Sequence, residues 1–111
     1  MSLDFCLLSS DESTPEASVF DLNITHNLNE MADVAGLYQC LWHPEEINAT
    51  KAKDIIELLE VGIARLRLLP EVYKKFNASN GWGTYEDLLE FAKDTLIACK
   101  ENPEAIIQVN R

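Results

Sequence analysis

Along residues 18–24 the side chains alternate, Phe20, Leu22 and Ile24 against Val19, Asp21 and Asn23, which is the period of a half-buried strand. Residues 3–8 form a second short apolar run. The polar, Pro15-containing segment SSDESTPEA between them predicts a hairpin loop. At Asn27 the period lengthens. Asn27-Leu28-Asn29-Glu30 has the form of a capping box, so a helix is expected to start there with Leu28, Met31, Ala35 and Tyr38 as its buried stripe. It should continue irregularly past Gly36 to Trp42 and stop at Pro44.

Residues 50–69 carry the clearest helical pattern, with Thr50 as N-cap. Ala52, Ile55, Ile56, Leu59, Ile63 and Leu66 share one face, and Leu58 and Leu69 are expected to widen it. Pro70 opens a short helical turn through Phe76. After a loop at residues 77–83, Thr84 caps a last helix with Asp87 at its third position. Tyr85, Leu88, Leu89, Ala92, Leu96 and Cys99 form its core stripe, Pro103 ends it, and residues 105–109 read as a final strand. The order is β-β-α-α-α-β. An α+β fold follows, with a small, mostly antiparallel three-stranded sheet and about three helices packed on one face. At 111 residues the chain is one compact domain, 1–111.

Charge changes this picture. No Lys or Arg precedes Lys51, while the first 50 residues carry nine carboxylates; the other 61 carry ten acids and nine bases. Nearly all of the net −10 therefore lies in the N-terminal half. Such a surface repels phosphate backbones and anionic lipid, which excludes direct nucleic-acid and membrane-surface binding, and it suits a partner with a basic surface. The start of the chain lacks the basic and apolar regions of a signal peptide, no apolar run approaches the ~18 residues of a membrane span, and Cys6, Cys40 and Cys99 form no CxxC pair. A reducing, cytoplasmic setting is the expectation.

Two polar-aromatic segments stand apart from ordinary connectors: NITHN at residues 23–27 and NASNGWGTY at residues 77–85, each leading into a helix N-terminus. Asn23, Thr25, His26 and Asn27 in the first, with Trp82 and Tyr85 in the second, are the candidate ligand or interface residues. Each also has an ordinary explanation: Asn27 as a cap, Thr25 as a strand residue, His26 as a half-buried ring. Trp82 is either a lid packed on Trp42 or an exposed contact residue, and packing is the stronger reading. A zinc site needs three or four convergent ligands, which two His and three scattered Cys do not supply, and no EF-hand, Walker or GxGxxG pattern occurs. No metal, cofactor or catalytic residue is assigned.

NITHNLNEMADVAGLYQCLW followed by NGWGTYEDLLEFAKDTLIACKENPEAIIQV resembles a family of short bacterial and phage proteins, over about residues 20–110. The resemblance implies a cytoplasmic single domain, bacterial or phage-borne, and brings no activity with it. One departure is His43, where that family often has a basic residue after the Leu-Trp pair.

Three functions compete on these grounds. The first is a non-catalytic interaction protein, an adaptor or an inhibitor presenting carboxylates to the basic groove of a nucleic-acid-binding partner. On that reading, charge reversal at Asp11, Glu12 and Glu16 weakens capture while reversal at Glu86 and Glu90 does little. The alternative is a small-molecule-binding protein or small enzyme whose site is formed by NITHN and NGWGTY together, with His26 and Trp82 in one cleft. The third is a homodimer through the sheet edge or the aromatic loop.

Overall fold

The structure, a computed structural model, describes residues 2–10 and 17–111. Its sheet has the order β2-β1-β3, with β1 (Ser2–Leu8) pairing antiparallel to both β2 (Ser18–Thr25) and β3 (Ile106–Asn110). The apolar alternation sets which way each strand faces. Leu3, Phe5 and Leu7 of the central strand are fully buried under the helices, whereas Asp4 and Cys6 face the opposite side. On that open face the Asn23 amide donates to Asp4 Oδ1 at 2.6 Å and to Ser2 Oγ at 2.8 Å. The expected loop between β1 and β2 falls largely at 11–16, outside the described residues.

Among the described residues five α-helices follow on the other side: α1 (Asn29–Val34), α2 (Tyr38–Trp42), α3 (Ile56–Leu68), α4 (Pro70–Lys74) and α5 (Tyr85–Glu101). There are more than the pattern predicted because Gly36 divides the first helix. At φ +79° it ends α1, with the Leu37 N–H bonded to the Ala32 carbonyl at 2.7 Å, a Schellman closure. A side chain there would also collide with the Arg65 guanidinium, which reaches the Ala35 carbonyl at 3.3 Å. The break turns Leu37 into the core, where it is fully buried against Gly62 of α3. Close approach of the two elements requires glycine at position 62, since a Cβ there would lie 2.3 Å from Leu37 Cδ2.

The cap of the first helical stretch also differs from the expected capping box. Thr25, not Asn27, is the N-cap of a 3-10 turn over His26–Leu28: its Oγ1 accepts from the Asn27 N–H at 3.2 Å. Asn27 is thereby freed for a tertiary contact. The predicted Thr50 cap is replaced as well. The Asp54 carboxylate accepts from the N–H groups of Lys51 and Thr50, each at 3.0 Å, and a 3-10 turn at Ala52–Ile55 leads into α3. Those N–H groups, Lys51's foremost, hold the Asp54 carboxyl below the ordinary carboxylate range. This contribution to stability is present above the usual Asp pKa and is lost as pH falls through the lowered one.

Most of the α3 stripe is seated as its period requires: Ala52, Ile55, Leu59 and Leu66 are fully buried and Ile63 nearly so, while Ile56 is only partly covered. Leu58 and Leu69 do not widen it, because both stand in solvent at 41% and 52% exposure. In α5, Tyr85, Leu88, Ala92 and Cys99 are buried as expected, with Phe91 completing the stripe, while Leu89 and Leu96 are only partly covered. Thr84 and Asp87 form a reciprocal capping box, 3.2 and 3.1 Å. One hydrophobic cluster joins the sheet to these helices. No helix among the described residues is long and apolar enough to cross a membrane.

Candidate functional site

The two motif segments meet. The Asn27 side-chain amide donates to the Trp82 carbonyl at 2.9 Å, across 55 positions of sequence. Gly83, at φ +121°, lies so close to the first segment that a Cβ would sit 3.0 Å from Thr25 Cγ2 and 3.2 Å from Leu28 Cγ. Glycine is required there on both counts. The loop between α4 and α5 is built from its own polar groups. Asn80 Oδ1 accepts from the Trp82 N–H at 3.0 Å, the Ala78 N–H is bonded to the Gly83 carbonyl at 3.0 Å, and Asn77 Oδ1 accepts from the Tyr85 N–H at 2.8 Å.

Between this loop, the end of β2 and the flank of α5 runs an open groove of about 840 Å³. Leu22, Ile24, Leu28 and Phe91 contribute its apolar lining, and Asn23, Thr25 and Asn27 border it on the β2 side. The α5 side is acidic: Asp87, Glu90 and Asp94 line it, and the lining includes no Lys or Arg. Trp82 stands at the rim, 72% exposed. It is not packed on Trp42, contrary to the favoured sequence reading, because Asn27 and Gly83 anchor its backbone and leave the ring outside.

His26 and Tyr85 go elsewhere. His26 is half-buried and accepts at Nδ1 from Trp42 Nε1, 2.9 Å, so the neutral ring carries its proton on Nε2. It does not line the groove. Tyr85 is only 7% exposed and its hydroxyl donates to the Leu66 carbonyl at 2.7 Å; it is a core residue joining α5 to α3 rather than an interface anchor. The candidates therefore divide: Asn23, Thr25, Asn27 and Trp82 share the groove, while His26 and Tyr85 support the framework.

Burial pushes the Cys40 and Cys99 thiols up to about 12, and burial followed by the neighbouring Asp21 raises Cys6. Little thiolate exists at neutral pH under those conditions. Among the described residues no group of three or more His, Cys, Asp and Glu side chains is placed to hold a metal ion.

The acidic wall was missed in the sequence although its signal is plain. Asp87, Glu90, Asp94, Ile97 and Glu101 recur at helical spacing, one continuous outer stripe of α5. Glu90, expected to be indifferent, lies in the groove.

The Asn27 contact makes a prediction opposite to that of a helix cap. A cap tolerates Asp, whereas a donor to a carbonyl does not. Asn27→Asp should be at least as damaging as Asn27→Ala, each costing about 0.5–1.5 kcal/mol in urea unfolding and speeding amide exchange at residues 82–83. A neutral Asn27→Asp would show that the bond to Trp82 contributes nothing.

Comparison with known proteins returned nothing: no family model, no curated protein and no solved structure matches the chain.

Proposed function

We propose that the protein is a non-catalytic binding module whose groove, between NITHN and NGWG, accepts a basic surface of a partner protein. The observation that supports this reading is the groove's composition: three carboxylates from α5, no cation, and an exposed Trp82 at the rim. A Lys or Arg side chain entering there gains charge-assisted bonds to Glu90 or Asp94 and a cation–π contact with the indole face. The nine N-terminal carboxylates steer such a surface toward the protein. Basic clefts of nucleic-acid-binding proteins are the partner class these charges suit, which favours an adaptor or inhibitor role. An enzyme reading loses its main support, because His26, its candidate base, is turned to Trp42 and away from the groove.

The test is titration with an octapeptide alternating Arg and Val, and with spermine as a small cation, at low and at high salt. The peptide should bind, shift the emission of exposed Trp82, and weaken at high salt. The double variant Glu90→Lys/Asp94→Lys should weaken it at least about 10-fold, corresponding to about 1.4 kcal/mol or more, and Trp82→Ala should do likewise. Reversal of Glu57 and Glu60 on α3, away from the groove, serves as the control. Tight spermine binding with no peptide binding would favour a small-molecule site instead. Binding indifferent to salt and to both variants would remove the proposal.

A further inference from the structure

We propose that the free edge of β2, with the flank of α5 beside it, receives an extended basic segment of the partner as a fourth strand of the sheet. This rests on the binding reading above and assigns the conformation of what is bound.

The two edges of the sheet are treated differently. The first half of the β3 edge is closed: the Ile107 N–H is bonded to the Thr50 carbonyl at 2.9 Å and the Ala52 N–H to the Ala105 carbonyl at 2.8 Å, with Lys51 bridged to Ile106. Among the described residues, no main-chain bond of this kind covers β2. The same bonds fix the phase of the whole sheet. Because Ile107 turns its N–H away from β1, its partner Leu7 directs its own N–H and C=O to β2, and so, by alternation, do Phe5 and Leu3. Their partners Phe20, Leu22 and Ile24 are therefore the residues of β2 bonded to β1. Asp21 and Asn23 are left with N–H and C=O directed outward, a template for a further strand. The register irregularity at Leu7/Leu8 limits the regular edge to residues 20–25, about 20 Å of strand.

A trough for side chains accompanies this edge. The main groove runs beside residues 22–28, and a smaller hollow of about 190 Å³ continues it beside Val19 and Phe20; Asp94 of α5 borders both. Phe20 and Leu22 point to the same sheet face as Leu3, Phe5 and Leu7, yet only the latter three are fully covered. The space left over Phe20 and Leu22 is where inward side chains of a fourth strand would lie. Val19 and Ile97, 44% and 54% exposed, offer an apolar contact at the far end. Main-chain pairing along an edge, with alternate side chains in a helix-walled trough, is the pattern by which sheets bind extended peptides.

Charge selects the occupant. Side chains of the added strand that turn inward meet Glu90, Asp94 and Glu101; those that turn to the open face meet Asp21 and, one strand further, Asp4. The neighbouring cation Lys93 is paired with Glu90 at 3.7 Å. A second copy of this chain would place its own Asp21 against these acids, which is unfavourable. The occupant is thus a foreign basic segment, with Lys or Arg on at least one alternation, since acids await it on either face.

The experiment uses the Arg-Val octapeptide and two N-methylated versions, one at odd and one at even positions, with amide exchange read across the protein. The parent peptide should slow exchange at Asp21 and Asn23. One N-methylated version should bind at least about 10-fold more weakly, and the other nearly as well as the parent, since only alternate N–H groups of a strand face its neighbour. Salt-sensitive binding of all three peptides alike, with no protection in β2, would overturn strand addition while leaving the binding module intact. If no peptide binds, both readings fall. Sedimentation of the protein alone as a dimer, with Asp21 and Asn23 already protected, would assign the edge to a second copy and overturn the proposal.

Discussion

Trp42→Ala should lower the free energy of unfolding by about 3–5 kcal/mol, the largest single loss expected in this protein. Trp42 is 1% exposed and is the bulkiest of the fully buried side chains. Its ring stacks on Tyr38 with centroids 5.7 Å apart, its Nε1 donates to His26, and its carbonyl accepts from Arg111 Nη1 at 2.7 Å. Truncation removes the ring and leaves a cavity among α1, α2 and the sheet, which the short, glycine-broken helices are poorly placed to fill. Trp42→Phe keeps one aromatic ring but loses part of the indole volume together with the N–H, so it should cost a smaller part, with about 1 kcal/mol from the lost bond to His26. Urea unfolding of both variants, followed by far-ultraviolet circular dichroism, measures the difference. A midpoint for Trp42→Ala within error of the wild type would mean that the core is not centred on this residue.

Leu59→Ala should cost about 2–5 kcal/mol, while Leu58→Ala, one position earlier, should change stability by less than about 1 kcal/mol. Leu59 is fully buried in the middle of α3, and Leu58 is 41% exposed on its flank. Neighbouring leucines thus give opposite results because a helix turns each residue by about 100° from the last. Comparable losses at both positions would show that the flank of α3 is covered in solution, and so would place a second interface on that helix. Leu89→Ala, which the sequence pattern alone ranks beside Leu59→Ala, should fall between the two because Leu89 is only partly buried.

Local rules were enough for much of this architecture. The period-two alternation at Phe20, Leu22 and Ile24, the period near 3.6 from Ala52 to Leu66, and the Thr84–Asp87 box all act within a few residues, and the α+β sheet-and-helix order follows from them. The same locality explains the errors. Asn27 has the chemistry of an N-cap, but Thr25 takes that role because the strand runs one residue past Ile24 and the 3-10 turn starts at His26, and the Asn27 amide then finds a carbonyl 55 residues away. Leu37 looks like any apolar residue near a break, and only the φ of Gly36 turns it into the core.

NITHN and NGWGTYE were recognisable as unusual from composition alone, but their meeting was not. Contact between them is set by the stacking of α5 on β2 and by the room Gly83 leaves against Thr25 and Leu28. The same packing divided the candidates, sending His26 to Trp42 and Tyr85 to Leu66 while leaving Trp82 outside. Charge in the sequence is a sum, and the sum pointed to the N-terminal half; the groove's carboxylates belong to α5, in the nearly balanced half, where helical geometry gathers Asp87, Glu90 and Asp94 on one side. The periods of the chain therefore determined which elements form and which faces they bury, because those depend on neighbours three or four positions away. Which edge of the sheet stays open, and which side chains share the groove beside it, was decided only by tertiary packing, because those contacts join segments that no local pattern connects.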